Sequence, residues 1–307
     1  MLELAIMIEG QNGLNWQRWE RIARAVDELG FAGLYRSDHY TNARPPDLDS
    51  LECWISLTWL ATNTHRIQFG PLVTPMSFRH PTMTARMASG VDDLSGGRLT
   101  LGLGAGWQER EHANYGLDLL ELSRRFKRFE EGLQIITLLL AREDPLTFEG
   151  EFYHLKDAVM LPRPQRRTPV LIGGNGEKRT LALAARYADV WNATFQTPSE
   201  FSRLNALLSE RLRANGRNPG DVRRSMMTGL LFGRDDAEVQ RQIAIRERTR
   251  EQLLERGIIL GTANQVVDQL GRLSDAGVQR VMLQWMDLDN LDGLQAFARD
   301  VLPQFKP

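Results

Sequence analysis

The feature that most constrains this chain is a rhythm. Short runs rich in apolar and β-branched residues alternate with longer runs of helical periodicity, and the pair repeats eight times. Residues 2–8 read as a strand; after them Trp16, Trp19, Ile22, Ala23, Val26 and Leu29 recur on one helical stripe until Gly30 stops it. Further strand candidates are residues 33–36, 67–73, 99–103, 170–172, 189–192, 225–231 and 280–284. Helical runs fall between them at 51–62, 81–94, 124–140, 179–187, 199–214, 237–255 with 263–276, and 291–301. Parallel strands need long crossovers, usually helical, so this order predicts a parallel sheet. Eight units predict closure into a (β/α)8 TIM barrel, with a doubly wound open sheet as the competing architecture. The 307 residues suit one such barrel, a single domain over 1–307.

Two segments break the rhythm. Residues 144–164, after the fourth β/α unit, contain Thr147-Phe148-Glu149-Gly150-Glu151-Phe152-Tyr153, which reads as a hairpin insertion turning at Glu149-Gly150, with a proline-rich exit at Pro162 and Pro164. The doubled helical run after the seventh strand is the other, a lid or simple packing.

Composition excludes several functions. A formal net charge of -1 supplies no bulk field for nucleic acid or an anionic membrane surface. No apolar run reaches the roughly 18–20 residues that cross a bilayer, and the first nine residues carry Glu3 rather than a cationic leader, so the expectation is a cytoplasmic protein. Cys53 is the only cysteine and lies in an apolar helical stretch, where a packed thiol is expected. The five histidines show no metal-binding spacing, and no nucleophile elbow occurs, so neither a metal site nor a serine nucleophile is expected.

In a barrel, reactive groups come from the C-terminal ends of strands and the loops after them. After the second strand stand Asp38 and His39, a proton-transfer pair near neutral pH or a loop-capping pair. After the third, Gly70-Pro71-Leu72-Val73-Thr74-Pro75 leaves the sheet, because two prolines cannot donate ladder bonds. After the fourth, Gly102-Leu103-Gly104-Ala105-Gly106-Trp107 imitates a dinucleotide fingerprint but has Trp107 where the third glycine belongs. Its glycines let a flat ring approach the backbone, with Glu109, Glu111, His112 and Tyr115 as polar groups above it. After the fifth, Gly173-Gly174-Asn175-Gly176 leads through Lys178 and Arg179 into a helix: a phosphate cradle or a simple turn.

Taken in order, these landmarks resemble the luciferase-like monooxygenase superfamily, and within it the branch of F420-dependent oxidoreductases. The resemblance rests on Ser37-Asp38-His39, Arg66 to Pro75, Phe78-Arg79-His80-Pro81, Asp93 to Leu99, Gly102 to Trp107, Glu111-His112 through Tyr115-Gly116, and Ile172-Gly173-Gly174 through Asp189. It covers most of residues 1–195. It implies a barrel holding coenzyme F420, or FMN in related branches, with the ring at the strand ends and the phosphate near Gly173, Gly174, Asn175 and Gly176. It implies a non-prolyl cis peptide after the third strand, expected between Pro71 and Leu72, and a ring edge along Ala105, Gly106 and Trp107. His39 would be the proton partner with Asp38 setting its orientation, and Glu109, Glu111 or His112 further proton carriers. Relatives that oxidise sugar phosphates or alcohols carry glutamate where this chain has Trp107, which points to a small organic substrate with an apolar face. The implied activity is hydride transfer between deazaflavin and that substrate. An FMN-dependent monooxygenase of the alkanesulfonate type, or a non-catalytic flavin-binding barrel, are the alternatives. Similar proteins commonly form homodimers.

Overall fold

The computed structural model describes residues 2–141 and 143–305; Met1, Arg142, Lys306 and Pro307 of the expected domain lie outside the described residues. The first strands are β1 (Glu3–Ile8), β2 (Gly33–Arg36), β3 (Gln68–Pro71), β4 (Thr74–Pro75) and β5 (Leu101–Gly104). An antiparallel pair, β6 (Leu146–Glu149) and β7 (His154–Ala158), follows at the position of the expected hairpin. The rest are β8 (Val170–Gly173), β9 (Val190–Thr194), β10 (Arg223–Phe232), β11 (Ile259–Gly261) and β12 (Arg280–Gln284).

The main sheet runs β3-β2-β1-β12-β10-β9-β8-β5-β4, all parallel. Its two ends, β3 and β4, are consecutive pieces of one barrel strand, and Phe69 also bridges Leu99 beside β5. The ring therefore closes, which excludes the open doubly wound sheet. The expected third strand is split because its backbone leaves the ladder at Leu72 and Val73 and rejoins it at Thr74.

The helices are α1 (Trp16–Leu29), α2 (Cys53–Asn63), α3 (Pro81–Leu94), α4 (Glu109–Asn114), α5 (Leu122–Ala141), α6 (Thr180–Tyr187), α7 (Pro198–Ala214), α8 (Asp236–Ala244), α9 (Arg250–Glu255), α10 (Ala263–Asp275) and α11 (Leu291–Asp300). Local chemistry sets their ends. Asn15 caps α1 by accepting the Arg18 N–H at 3.1 Å, and Gly30 ends it with φ 98°. Of the expected α1 stripe, Trp19, Ile22, Ala23 and Val26 are buried, while Trp16 is exposed and meets Trp59 edge-on. The expected 237–255 helix is two, because Thr249 starts α9 with a capping box. The short strand β11 that follows was hidden between helical runs, and it pairs with the end of β10.

Alternation along the strands divides the apolar residues between two cores. Leu4, Ile6 and Ile8 face the helices, whereas Ala5 and Met7 join Tyr35, Leu72, Leu171 and Met282 inside the barrel. Arg280 closes the opposite end, donating to Glu3, the Tyr35 hydroxyl and Gln68. The interior is thus filled, and the upper face of this plug becomes the floor of a cleft at the strand C-terminal ends.

Candidate active site

A cleft of about 440 Å³ opens there, floored by Met7, Leu72, Val73 and Met227 from the barrel interior. His39, Gly106, Trp107, Gly173 and Gly174 line it too, so the loops after β2, β3, β5 and β8 converge on one space. The non-prolyl cis peptide is present but joins Leu72 to Val73, one residue beyond the expected Pro71–Leu72 bond. Pro71 stays in the ladder opposite Arg36 and does not reach the cleft. Val73 does, because β5 gives it room. A Cβ on Gly104 would stand 2.6 Å from Val73 Cγ2, and one on Gly102 would stand 2.0 Å from the Pro71 carbonyl oxygen. The glycines of Gly102-Leu103-Gly104 therefore admit the neighbouring strand, not a dinucleotide phosphate.

His39 sits at the rim, its side chain 14% exposed. Its Nδ1 is 2.8 Å from Glu111 Oε1, and the other Glu111 oxygen accepts the Tyr40 N–H at 3.1 Å. Glu111 is fully buried. Among the described residues, none hydrogen-bonds to His39 Nε2. Burial works against protonating the imidazole, but the hydrogen bond and charge of Glu111, with Glu9 and Asp38 farther off, outweigh it and hold His39 above its ordinary value. Trp107 meets the His39 ring edge-on at 5.6 Å and is 62% exposed, a wall between the imidazole and solvent.

The expected role of Asp38 is corrected by these contacts. Its carboxylate turns away from His39 and accepts from Thr74 Oγ1 at 2.8 Å and Arg79 Nη1 at 2.6 Å. Arg79 also donates to Glu52, which caps α2. Asp38 thus ties the β2 loop to the β4 loop below the cleft, and Glu111, reaching across from α4, orients the histidine.

Two other expected proton carriers lie elsewhere. Glu109 is exposed in the first turn of α4 and does not line the cleft, a favourable place for a carboxylate at a helix N-terminus. His112 is buried with both ring nitrogens engaged: Nδ1 donates to the Gln108 carbonyl at 2.6 Å and Nε2 accepts from Ser77 Oγ at 2.7 Å. It braces Gly106, where a Cβ would lie 2.9 Å from the same Ser77 oxygen. Ala105 packs on the core and does not reach the cleft.

At the β8 turn, Gly173 and Gly174 line the cleft but Asn175 and Gly176 do not. The Asn175 amide is consumed by Thr194, donating to its carbonyl at 2.8 Å and accepting its N–H at 2.9 Å. Gly174 donates its own N–H to Asn192. Among the described residues, the N–H groups of Asn175, Gly176, Glu177 and Lys178 have no acceptor, so the free donors of this turn begin after Gly174.

A polar part of the lining was missed. Glu9, Gln11, Ser37 and Gln284 all line the cleft. The Gly10 N–H donates to Ser37 Oγ, Ser37 donates to Gln11 Oε1, Gln11 donates to Glu9, and Gln284 donates to the other Glu9 oxygen at 2.6 Å. Reading the loops from the first strand onward would have found Glu9 and Gln11. Asn192 was missed as well: it is 1% exposed, lines the cleft, gives its Nδ2 to Ser225, and leaves Oδ1 without a donor.

Comparison with known proteins fits this geometry. The model of the luciferase-like monooxygenases matches residues 4–256. The chain is 27% identical over 309 residues to an F420-dependent glucose-6-phosphate dehydrogenase of Kineococcus radiotolerans, covering 92% of this chain and 91% of that one. It is 26% identical over 332 residues to 4-hydroxyprotoasukamycin monooxygenase of Streptomyces nodosus subsp. asukaensis, covering 95% and 88%. Its fold is similar to that of an F420-dependent secondary alcohol dehydrogenase solved with an F420-acetone adduct, with TM-score 0.88, 18% identity and 99% of each chain covered.

Proposed function

The chain belongs to the luciferase-like monooxygenase family, and on that premise we propose that it is an F420-dependent oxidoreductase acting on a small organic substrate. The observation that carries the reading is the His39–Glu111 pair at the rim of the one cleft on which four strand-end loops converge. The similarity to F420-dependent glucose-6-phosphate dehydrogenase supports the choice of cofactor.

The residues present fit a flat deazaflavin. The cleft has an apolar floor at Leu72 and Val73, as an aromatic ring requires. The orphaned Asn192 oxygen is a buried acceptor that a ring N–H would satisfy. Free backbone donors at Gly176, Glu177 and Lys178 suit an anionic tail. Leu72, Val73, Gly106, Trp107, Gly173 and Gly174 would hold the ring, and the turn after Gly174 its phosphate.

When bound, F420 supplies or accepts a hydride as a two-electron carrier. The chain's own part is positional and acid–base. Glu111 fixes His39 through Nδ1, so Nε2 is the nitrogen left to give a proton to, or take one from, the substrate atom beside it. The charge of Glu111 favours the protonated imidazole, which suits donation to a carbonyl oxygen as it is reduced. Asp38 and Arg79 keep the histidine loop and the Val73 loop in register. Trp107 narrows access of water from the rim.

A second reading is an FMN-dependent monooxygenase, whose monooxygenase part is favoured by the similarity to 4-hydroxyprotoasukamycin monooxygenase. Titrating the purified protein separately with F420 and FMN, followed by fluorescence quenching, divides the two. Saturable F420 quenching with weak FMN quenching is expected; tight FMN binding with none for F420 would overturn the proposal.

A further inference from the structure

A second cleft, of about 480 Å³, opens on the same barrel face at the ends of β10 and β12. The two clefts share no lining residue but are lined from the same strands: Gln284 and Met227 line the first, Trp285 and Leu230 the second. If a tricyclic ring fills the first cleft, the body of the substrate needs space near it, and this cleft, on the same strand ends, is of suitable size.

We propose that this second cleft anchors the substrate and selects organic molecules with an apolar body and a carboxylate, the carboxylate held by Arg246; the proposal rests on the first cleft being the cofactor's. Leu230, Phe232, Trp285, Met286 and Ile245, the last 80% exposed on the connection between α8 and α9, give the cleft an apolar side, and Gln242, Asp287 and Asn290 give it a polar one. Within it stands one guanidinium. Among the described residues, the exposed Arg246 makes no side-chain hydrogen bond or ion pair.

The one acid of the cleft, Asp287, forms no ion pair with Arg246 among the described residues. Trp285 adds a buried indole N–H with no acceptor. An unpaired planar cation and an orphaned donor beside apolar walls match a group with two acceptor oxygens on a hydrocarbon body.

The test compares octanoate with the uncharged octanamide by titration calorimetry, on the native protein and on Arg246→Gln and Arg246→Lys. Octanoate should bind about tenfold or more tightly than octanamide, the effect of one charge-assisted pair. Arg246→Gln should abolish that preference without weakening octanamide, and Arg246→Lys should keep part of it. Equal affinities in the native protein, a preference that survives Arg246→Gln, or displacement of octanoate by equimolar inorganic phosphate would each overturn the proposal. F420 quenching is a separate readout and should be unchanged in both variants. Its absence in the native protein would overturn the cofactor reading while the carboxylate comparison still decides what Arg246 binds.

Discussion

Glu111→Gln removes one charge and changes no shape, so it isolates what the buried carboxylate does. In the native protein its two oxygens accept from His39 Nδ1 at 2.8 Å and from the Tyr40 N–H at 3.1 Å. An amide offers only one acceptor. If it serves Tyr40, its NH2 faces His39 Nδ1 and forces the neutral ring; if it serves His39, an NH2 opposes the Tyr40 N–H. A charged hydrogen bond contributes about 1.5–3 kcal/mol and a neutral one about 0.5–1.5, while an unsatisfied buried donor costs about 1–3. The variant should therefore lose roughly 1–3 kcal/mol near pH 6. The sign of its pH dependence follows from His39, whose folded-state value Glu111 raises. That contribution is fully present below the unfolded imidazole value of about 6.5 and is lost as pH rises through the higher folded value. The stability gap between native and variant should narrow across that window. Histidine-ring NMR should show the native His39 inflection above about 6.5 and a lower one in the variant, where burial is left to act without the carboxylate. The pH–rate profile should move the same way. An unchanged His39 inflection, or a gap that widens with pH, would refute the reasoning.

Further outcomes follow from neighbouring contacts. Gly104→Ala places a Cβ 2.6 Å from Val73 Cγ2 and should destabilise by about 1–3 kcal/mol and weaken cofactor binding, with both losses relieved in the Val73→Ala double variant; strict additivity in denaturant melts would contradict the packing argument. Asp38→Asn breaks the Arg79 pair and should lower stability by on the order of 2–4 kcal/mol, because a guanidinium is left underpaired, yet it should move the His39 inflection less than Glu111→Gln does in the same NMR titration. Trp107→Glu should open the rim to polar substrates, measured as new glucose-6-phosphate-dependent reduction of F420; unchanged preference would count against Trp107 as the selecting wall.

The barrel was legible because each strand carries its own period and each helix its own stop. Gly30, Pro81 and the capping residues act within a few positions of the backbone they shape, so local pattern finds them. The cleft was legible in outline for a related reason: in a barrel, strand ends converge wherever they fall in the chain. What failed was pairing between distant residues. Asp38 stands beside His39 in sequence, but Arg79 offers it a bidentate guanidinium across the loops, and Glu111 reaches His39 from another helix. Glu9 and Gln284 are separated by nearly the whole chain and meet only because β1 and β12 are barrel neighbours. The glycines of β5 carried a real signal that was read for the wrong neighbour, since Val73 and not a ligand fills the space they leave.

The proposed mechanism requires a single flat cofactor lying against Val73 with its reactive edge toward His39. A crystal structure of the protein soaked with F420 tests that directly. It should show the ring between Val73 and Trp107, with an N–H toward Asn192 and the phosphate at the turn beyond Gly174. A ring bound at the ends of β10 and β12, or on the outer face of the barrel, would contradict it.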